Sequence, residues 1–245
     1  MSALYFIIRK VTMLRSLISL FSSLAAKTVL ICMGWSLPGS KVFKRINKYD
    51  RVVGVFSHTS YADFYIMVLY KLAYLDKLQR VRTLVKPQPF EYAGWFLRSI
   101  GAIPSTKIEE KKGGAVSRIV NELKENKQCL FLISPKGTIV KAEWRSGYFA
   151  IAKELDAELM VMGFDYEKKC VVASKQISHK QGEEAVKEFL QNRLKNIVPL
   201  FPEDEIVPIR DHVEDDRGII SSTRLFAIIS AISTTIVVTG LHFFY

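Results

Sequence analysis

The sequence predicts an α/β domain: a mainly parallel sheet flanked by helices, with membrane-associated helices at the N-terminus and a C-terminal transmembrane helix. Short apolar runs alternate along the chain with longer stretches of helical periodicity, the pattern of strand–helix–strand units. Most of the strand-like runs are apolar, as strands covered on both faces are. The 245 residues, 49% of them hydrophobic, suffice for one good-sized domain with appendages.

The elements follow in order. "RVVGVFSH" reads as a short buried strand and "YADFYIMVLYKLAYL" as a helix. "RVRTLVK" reads as a strand, and "YAGWFLRSIGA" as a short helix leading to Gly101. "AVSRIVNELKEN" is an amphipathic helix with Val116, Ile119, Val120 and Leu123 on one face. "QCLFLIS" is a buried strand, "GYFAIAKEL" a helix and "AELMVMGFDY" another apolar strand, with "KCVVAS" pairing beside it. "EEAVKEFLQNRLKNI" is the last amphipathic helix. No internal repeat or low-complexity tract interrupts the series.

The flanks differ in kind. Ala3 to Trp35 is apolar but broken by Arg9, Lys10, Arg15 and Lys27, so no uninterrupted span of about 18 residues exists there. A cleaved leader carries its cations before the apolar core, not within it. The segment is expected to lie in a membrane interface as one or two helices, its cations reaching to headgroups, and Pro38-Gly39 ends it. Leu225 to Phe244 has no Asp, Glu, Lys or Arg and just meets the roughly 20 residues a membrane-spanning helix needs. It is expected to act as a tail anchor, with the catalytic domain on the cytosolic side. The expected division is therefore a membrane-associated helical segment over 1–40, the α/β domain over 41–200, an acidic linker over 201–223 and an anchor over 224–245.

A net charge of +11 calls for an anionic partner. The basic residues are spread along the chain and no nucleic-acid motif is present, so lipid or a phosphorylated substrate is favoured over nucleic acid. Cys32, Cys129 and Cys170 form no C-x-x-C pair, which predicts a reducing compartment without a disulfide framework. His179, His212 and His242 are scattered, and no metal site is predicted.

The chemistry is expected at His58 and Asp63. His58 ends the first strand, at the edge where open α/β sheets bind ligands. Thr59 or Ser60 is placed to cap the helix that begins near Tyr61, which puts Asp63 in its first turn. A carboxylate on one imidazole nitrogen fixes the tautomer and stabilises the cation. The other nitrogen is then free to take a proton from a substrate hydroxyl. No G-x-S-x-G is present to supply a serine nucleophile, although Ser60 lies near His58.

Four stretches from about Val52 to Val172 carry a resemblance. "SHTSYAD" resembles the N-H-x-S-x-x-D block of glycerolipid acyltransferases, the family that includes lysophosphatidic acid acyltransferases. "EYAGWFLRSIGAIP" resembles their second block through Gly94, Trp95, Gly101, Ile103 and Pro104. "SPKGTIVKAEWRSGYFAIAKEL" resembles the F-P-E-G-T-R block and the helix after it, and "AELMVMGFDY" stands where the final block falls. Trp144 to Tyr148 resembles the continuation found in short bacterial-type members.

The resemblance implies acyl transfer to a glycerolipid hydroxyl from acyl-coenzyme A or acyl carrier protein, with no cofactor beyond that donor. It assigns the general base to His58 and its orienting partner to Asp63. It also implies a membrane-associated N-terminal helix pair and acceptor-phosphate binding by the third block, here Lys136, Gly137 and Thr138. The chain departs from the pattern in having Ser57 for asparagine, Lys136 for glutamate and Ile139 for arginine, with Lys107 where an arginine often follows the second block. Lysine is a point charge without arginine's bidentate fork. Lys107, Lys136 and Lys141 are the residues expected to supply positive charge to the substrate. The altered block also motivates the alternative of a degenerate acyltransferase fold serving as a lipid-binding or scaffolding protein.

Overall fold

The computed structural model describes residues 3–75, 77–105, 114–137 and 143–201. Helix α1 (Ala3–Cys32) and the short α2 (Ser40–Ile46) precede β1 (Arg51–Val55). Then follow α3 (Ala62–Ala73), β2 (Val81–Val85), α4 (Gln88–Ser99), β3 (Ala102–Pro104), α5 (Gly114–Lys124) and β4 (Cys129–Ile133). After α6 (Gly147–Glu154) come β5 (Glu158–Asp165), β6 (Cys170–Ala173), β7 (Ile177–Ser178) and α7 (Glu183–Leu194). The sheet runs β3-β2-β4-β1-β5-β6, with β7 also on β5. Strands β3 to β5 in that order pair in parallel, and β6 and β7 pair antiparallel to β5.

Strand alternation divides the core by face. Val53 and Val55 of β1, Phe131 and Ile133 of β4, and Leu159 and Val161 of β5 pack under α5, α6 and α7. Their neighbours Val52, Leu130, Leu132 and Met160 point the other way, toward Ile46 of α2 and Met67 of α3. Helices α1 and α3 extend that second face, and α4 packs on α3 through Leu97 against Val68 and Phe64. Helix covers on both sheet faces are what parallel strands require.

The N-terminal segment is one helix of 30 residues, about 45 Å long at 1.5 Å per residue. Its C-terminal half is docked: Ala26 and Leu30 are buried with Ile66, Leu69 and Tyr70 of α3, and Ser23 Oγ donates to the Ala73 carbonyl at 2.7 Å. Gly34, at φ +80°, ends the helix, a left-handed position that suits glycine after a helix terminus. The opposite face of α1 exposes Met13, Leu17, Leu20, Leu24 and Ile31 at helical spacing. No helix among the described residues is long and apolar enough to cross a membrane. The expected anchor over 224–245, the linker over 201–223 except Phe201, and the membrane-spanning helix all lie outside the described residues.

Some details differ from expectation. Helix α4 begins at Gln88 and kinks at Ala93, whose φ and ψ are −132° and 29°, rather than starting at Tyr92. The three-residue β3 and two-residue β7 carry too few residues to show alternation.

Gly101 has a steric reason for being glycine. It sits at φ +79°, and a Cβ there would lie 2.6 Å from the Val81 carbonyl oxygen and 2.8 Å from Lys71 Nζ. Lys71 is itself buried and donates to that same carbonyl at 2.6 Å. Desolvation, and then the nearby Arg82 charge, lower its pKa to about 7. Replacing Gly101 by alanine is expected to cost about 2 kcal/mol or more, from positive φ and backbone overlap together. Chemical denaturation should show it as a lower midpoint with unchanged slope.

Candidate active site

Strand β1 delivers its C-terminal end between β4 and β5, in the middle of the sheet. His58 follows three residues later, one-quarter exposed, and its Nδ1 lies 3.0 Å from Asp63 Oδ2. Asp63, in the first turn of α3, is 4% exposed. The same Oδ2 accepts the Thr59 and Ser60 backbone N–H groups, each at 3.1 Å. The other oxygen, Oδ1, accepts the Tyr166 hydroxyl at 2.8 Å. An ionised carboxylate only accepts, so the His58 proton sits on Nδ1 and Nε2 is left basic. Nε2 meets no partner among the described residues.

The loop is capped as the sequence suggests, by Ser60. Its hydroxyl accepts the Ala62 N–H at 3.0 Å, and Tyr61 between them already has helical φ and ψ of −63° and −22°. Asp63 reaches back to the Ser60 N–H, the reciprocal bond of a capping box, and to the Thr59 N–H as well.

Tyr166, just beyond β5, is the participant that sequence reasoning missed. Burial and then the adjacent Asp63 charge raise its phenol well above the ordinary value, so it holds its proton as a donor. Its ring meets Trp35 edge-on at 5.1 Å. Trp35 in turn meets Tyr70 at 6.1 Å and Phe164 at 6.0 Å, and Tyr70 Oη donates to the Ser36 carbonyl at 2.7 Å. The segment leaving α1 therefore forms one wall of the support for the pair.

Beside His58 lies a cleft of about 940 Å³. One wall is Ser134, Pro135, Lys136, Glu143 and Trp144; the other is α7 and the residues after it; Phe56 and Ser57 lie between. His58 is not itself in the lining, but it adjoins through Ser57 and through Phe56, whose ring is 5.9 Å away. Lys136 thus faces the cleft. Gly137 closes a tight turn at φ +66°, its N–H bonded to the Ser134 carbonyl at 3.1 Å. Lys107, Thr138 and Lys141 lie outside the described residues. No group of three metal-ligating side chains is found among the described residues.

A family model described as Acyltransferase matches residues 41–229, and the chain belongs to the acyltransferase family, in agreement with the resemblance to glycerolipid acyltransferases in its motif blocks. The fold is similar to that of the 1-acyl-sn-glycerophosphate (LPA) acyltransferase PlsC from Thermotoga maritima. The TM-score is 0.50 at 12% identity, over 72% of this chain and 78% of that one. No curated protein sequence matches the chain.

Tyr166→Phe keeps the ring and removes only the donor. Asp63 then lacks its partner on Oδ1 and is held less firmly against His58. Acyl transfer is expected to fall about tenfold, within the range for one charge-assisted hydrogen bond. Initial rates compared with a thermal melt separate this from loss of fold.

Proposed function

We propose that the protein is a membrane-associated O-acyltransferase that moves an acyl group from a thioester to the hydroxyl of a lysophospholipid or related glycerolipid. The carrying observation is the His58–Asp63 pair, fully bonded on its aspartate side and open at Nε2. In this reading His58 Nε2 accepts the proton of the acceptor hydroxyl as its oxygen attacks the thioester carbonyl. The C–O bond forms, the C–S bond breaks, and the imidazolium returns its proton to the departing thiolate. Asp63 steadies the imidazolium between those events. Neither a covalent acyl-enzyme nor a cofactor is invoked.

Membrane association rests on the exposed apolar stripe of α1 and on aromatic residues over the same sheet face. Tyr92 and Trp95 of α4 are 87% and 63% exposed, and Tyr61 is 56% exposed. Exposed aromatic rings of this kind suit a lipid interface, as does a helix with a continuous apolar stripe. The C-terminal anchor expected from Leu225 onward would add to this hold. The acceptor's anionic headgroup falls to Lys136, a half-buried cation that lines the same cleft as Ser57.

His58→Ala is expected to lower acyl transfer by about a hundred- to ten-thousandfold without unfolding the protein, and Asp63→Asn to impair it severely. Both are checked by thioester turnover in membranes with and without lysolipid, beside thermal melts. Turnover that needs lysolipid is the expected wild-type result. Release of the acyl group to water alone would make the protein an esterase, and no turnover at all would favour a scaffold.

Lys136→Ala should raise the apparent acceptor KM by about ten- to a hundredfold, the worth of a charge-assisted contact. Its dependence on the acyl donor should stay nearly constant. Initial rates over a grid of both substrates test this directly.

A further inference from the structure

The turn from β5 into β6, Tyr166 to Lys169, lies between Asp165 and its strand partner Cys170. Its first residue serves the catalytic pair: the Tyr166 hydroxyl donates to Asp63 Oδ1 at 2.8 Å. Its last residue, Lys169, sits at φ +45°, one of two non-glycine residues at positive φ among the described residues. At that place in a hairpin turn glycine is the ordinary occupant, and a side chain is strained. A strained residue beside a site asks what its side chain does there.

The Lys169 side chain holds the end of α1. There the Trp35 N–H bonds the Leu30 carbonyl and the Gly34 N–H bonds the Ile31 carbonyl, each at 2.8 Å, the paired closure of a Schellman motif. The Lys169 ammonium donates to the Met33 carbonyl at 3.0 Å, a cation at the negative end of the helix. Its side chain also lies over Gly34, where an added Cβ would come within 3.2 Å of Nζ and 3.3 Å of Cδ. The Lys169 carbonyl accepts the Ser36 N–H at 2.7 Å. Met33 to Ser36 is thereby strapped across the turn, with Trp35 in its middle, 5% exposed and edge-on to the Tyr166 ring at 5.1 Å. The Tyr166 N–H is tied separately, to the Val198 carbonyl at 2.9 Å, so the strap bears on the ring rather than on the backbone. Lys168 takes no part in the strap and pairs with Asp165 at 3.1 Å.

We propose that Lys169 is a positioning residue for acyl transfer, holding the α1 exit so that Trp35 aims the Tyr166 hydroxyl at Asp63. The proposal rests on the acyl-transfer reading of the His58–Asp63 pair. Lys169 touches no reacting atom and acts through three links: its ammonium on Met33, Trp35 on the Tyr166 ring, and the Tyr166 hydroxyl on the carboxylate that orients His58. A hydrogen bond weakens steeply as its donor swings out of line, so freedom of the Tyr166 ring is felt at Asp63. Glycine at 169 keeps the carbonyl that Ser36 needs and relieves the backbone. It supplies neither the ammonium for Met33 nor the cover over Gly34. Fold and rate therefore ask for different residues at this position.

The test compares the full chain with Lys169→Gly, Tyr166→Phe and the two combined, by thermal melts, by kcat and by KM for both substrates. In Lys169→Gly the melting temperature should hold or rise, because strain is removed. Its kcat should nevertheless fall about threefold to tenfold, bounded by the loss of the Tyr166 hydrogen bond, while both KM values stay as in wild type. Added to Tyr166→Phe, the glycine should lower kcat no further, since the hydroxyl it steers is gone. An unchanged kcat in Lys169→Gly overturns the proposal. A fall in kcat that comes with a lower melting temperature also overturns it and leaves Lys169 a structural residue. So does a full further fall in the combined variant, which would route the effect around Tyr166. Should wild type transfer no acyl group to any acceptor, the acyl-transfer reading fails. The ring-nitrogen NMR shifts of His58 in 15N-histidine-labelled protein then decide the linkage: it stands if Lys169→Gly and Tyr166→Phe move them alike, and falls if Lys169→Gly leaves them in place.

Discussion

A carboxylate almost wholly removed from water must have its lone pairs filled, and around Asp63 this requirement organises the site. Unpaired, such a group is among the costliest things a fold can contain. Its two oxygens collect the Thr59 and Ser60 amides, the His58 ring and the Tyr166 hydroxyl. Two of these bonds shape the turn from β1 into α3, one fixes the imidazole, and one ties α3 to the end of β5. The contacts that make burial tolerable are the same contacts that leave Nε2 as a base. Structure and chemistry are not separable at this residue.

From that centre the protein divides by sheet face. Alternation along β1, β4 and β5 sends one set of side chains to α5, α6 and α7 and the other to α1, α2 and α3. Because β1 ends in mid-sheet, His58 stands where the two coverings meet.

How much of this the chain discloses depends on sequence distance. His58 and Asp63 are five residues apart, and the strand end and helix start around them are local signals, so their meeting was legible. Tyr166 lies 103 residues from Asp63 in sequence, just past the end of β5, and no local pattern joins the two. The Ser60 cap is equally local, whereas cap propensity does not reveal that the Asp63 carboxylate reaches back to two amides. The long apolar runs gave the main strands correctly, whereas β3 and β7 exist through pairing alone. Gly101, noticed as part of a motif, has its cause in Val81 and Lys71 on neighbouring elements, which only the fold brings near.

The docking of α1 turns a helix into a gauge. Its second half is bolted to α3 and, through Trp35, to the ring cluster behind Tyr166, while its outward stripe continues along the same rigid rod. The heading of that stripe is thus set by the count of residues between the two parts. One residue inserted near Phe21 would swing the leading half by about 100° relative to the docked half. Composition and hydrophobicity would scarcely change, yet the stripe of the leading half would no longer continue that of the docked half. In this protein the phase of a helix, more than its greasiness, fixes which way its leading half faces relative to the rings behind Tyr166.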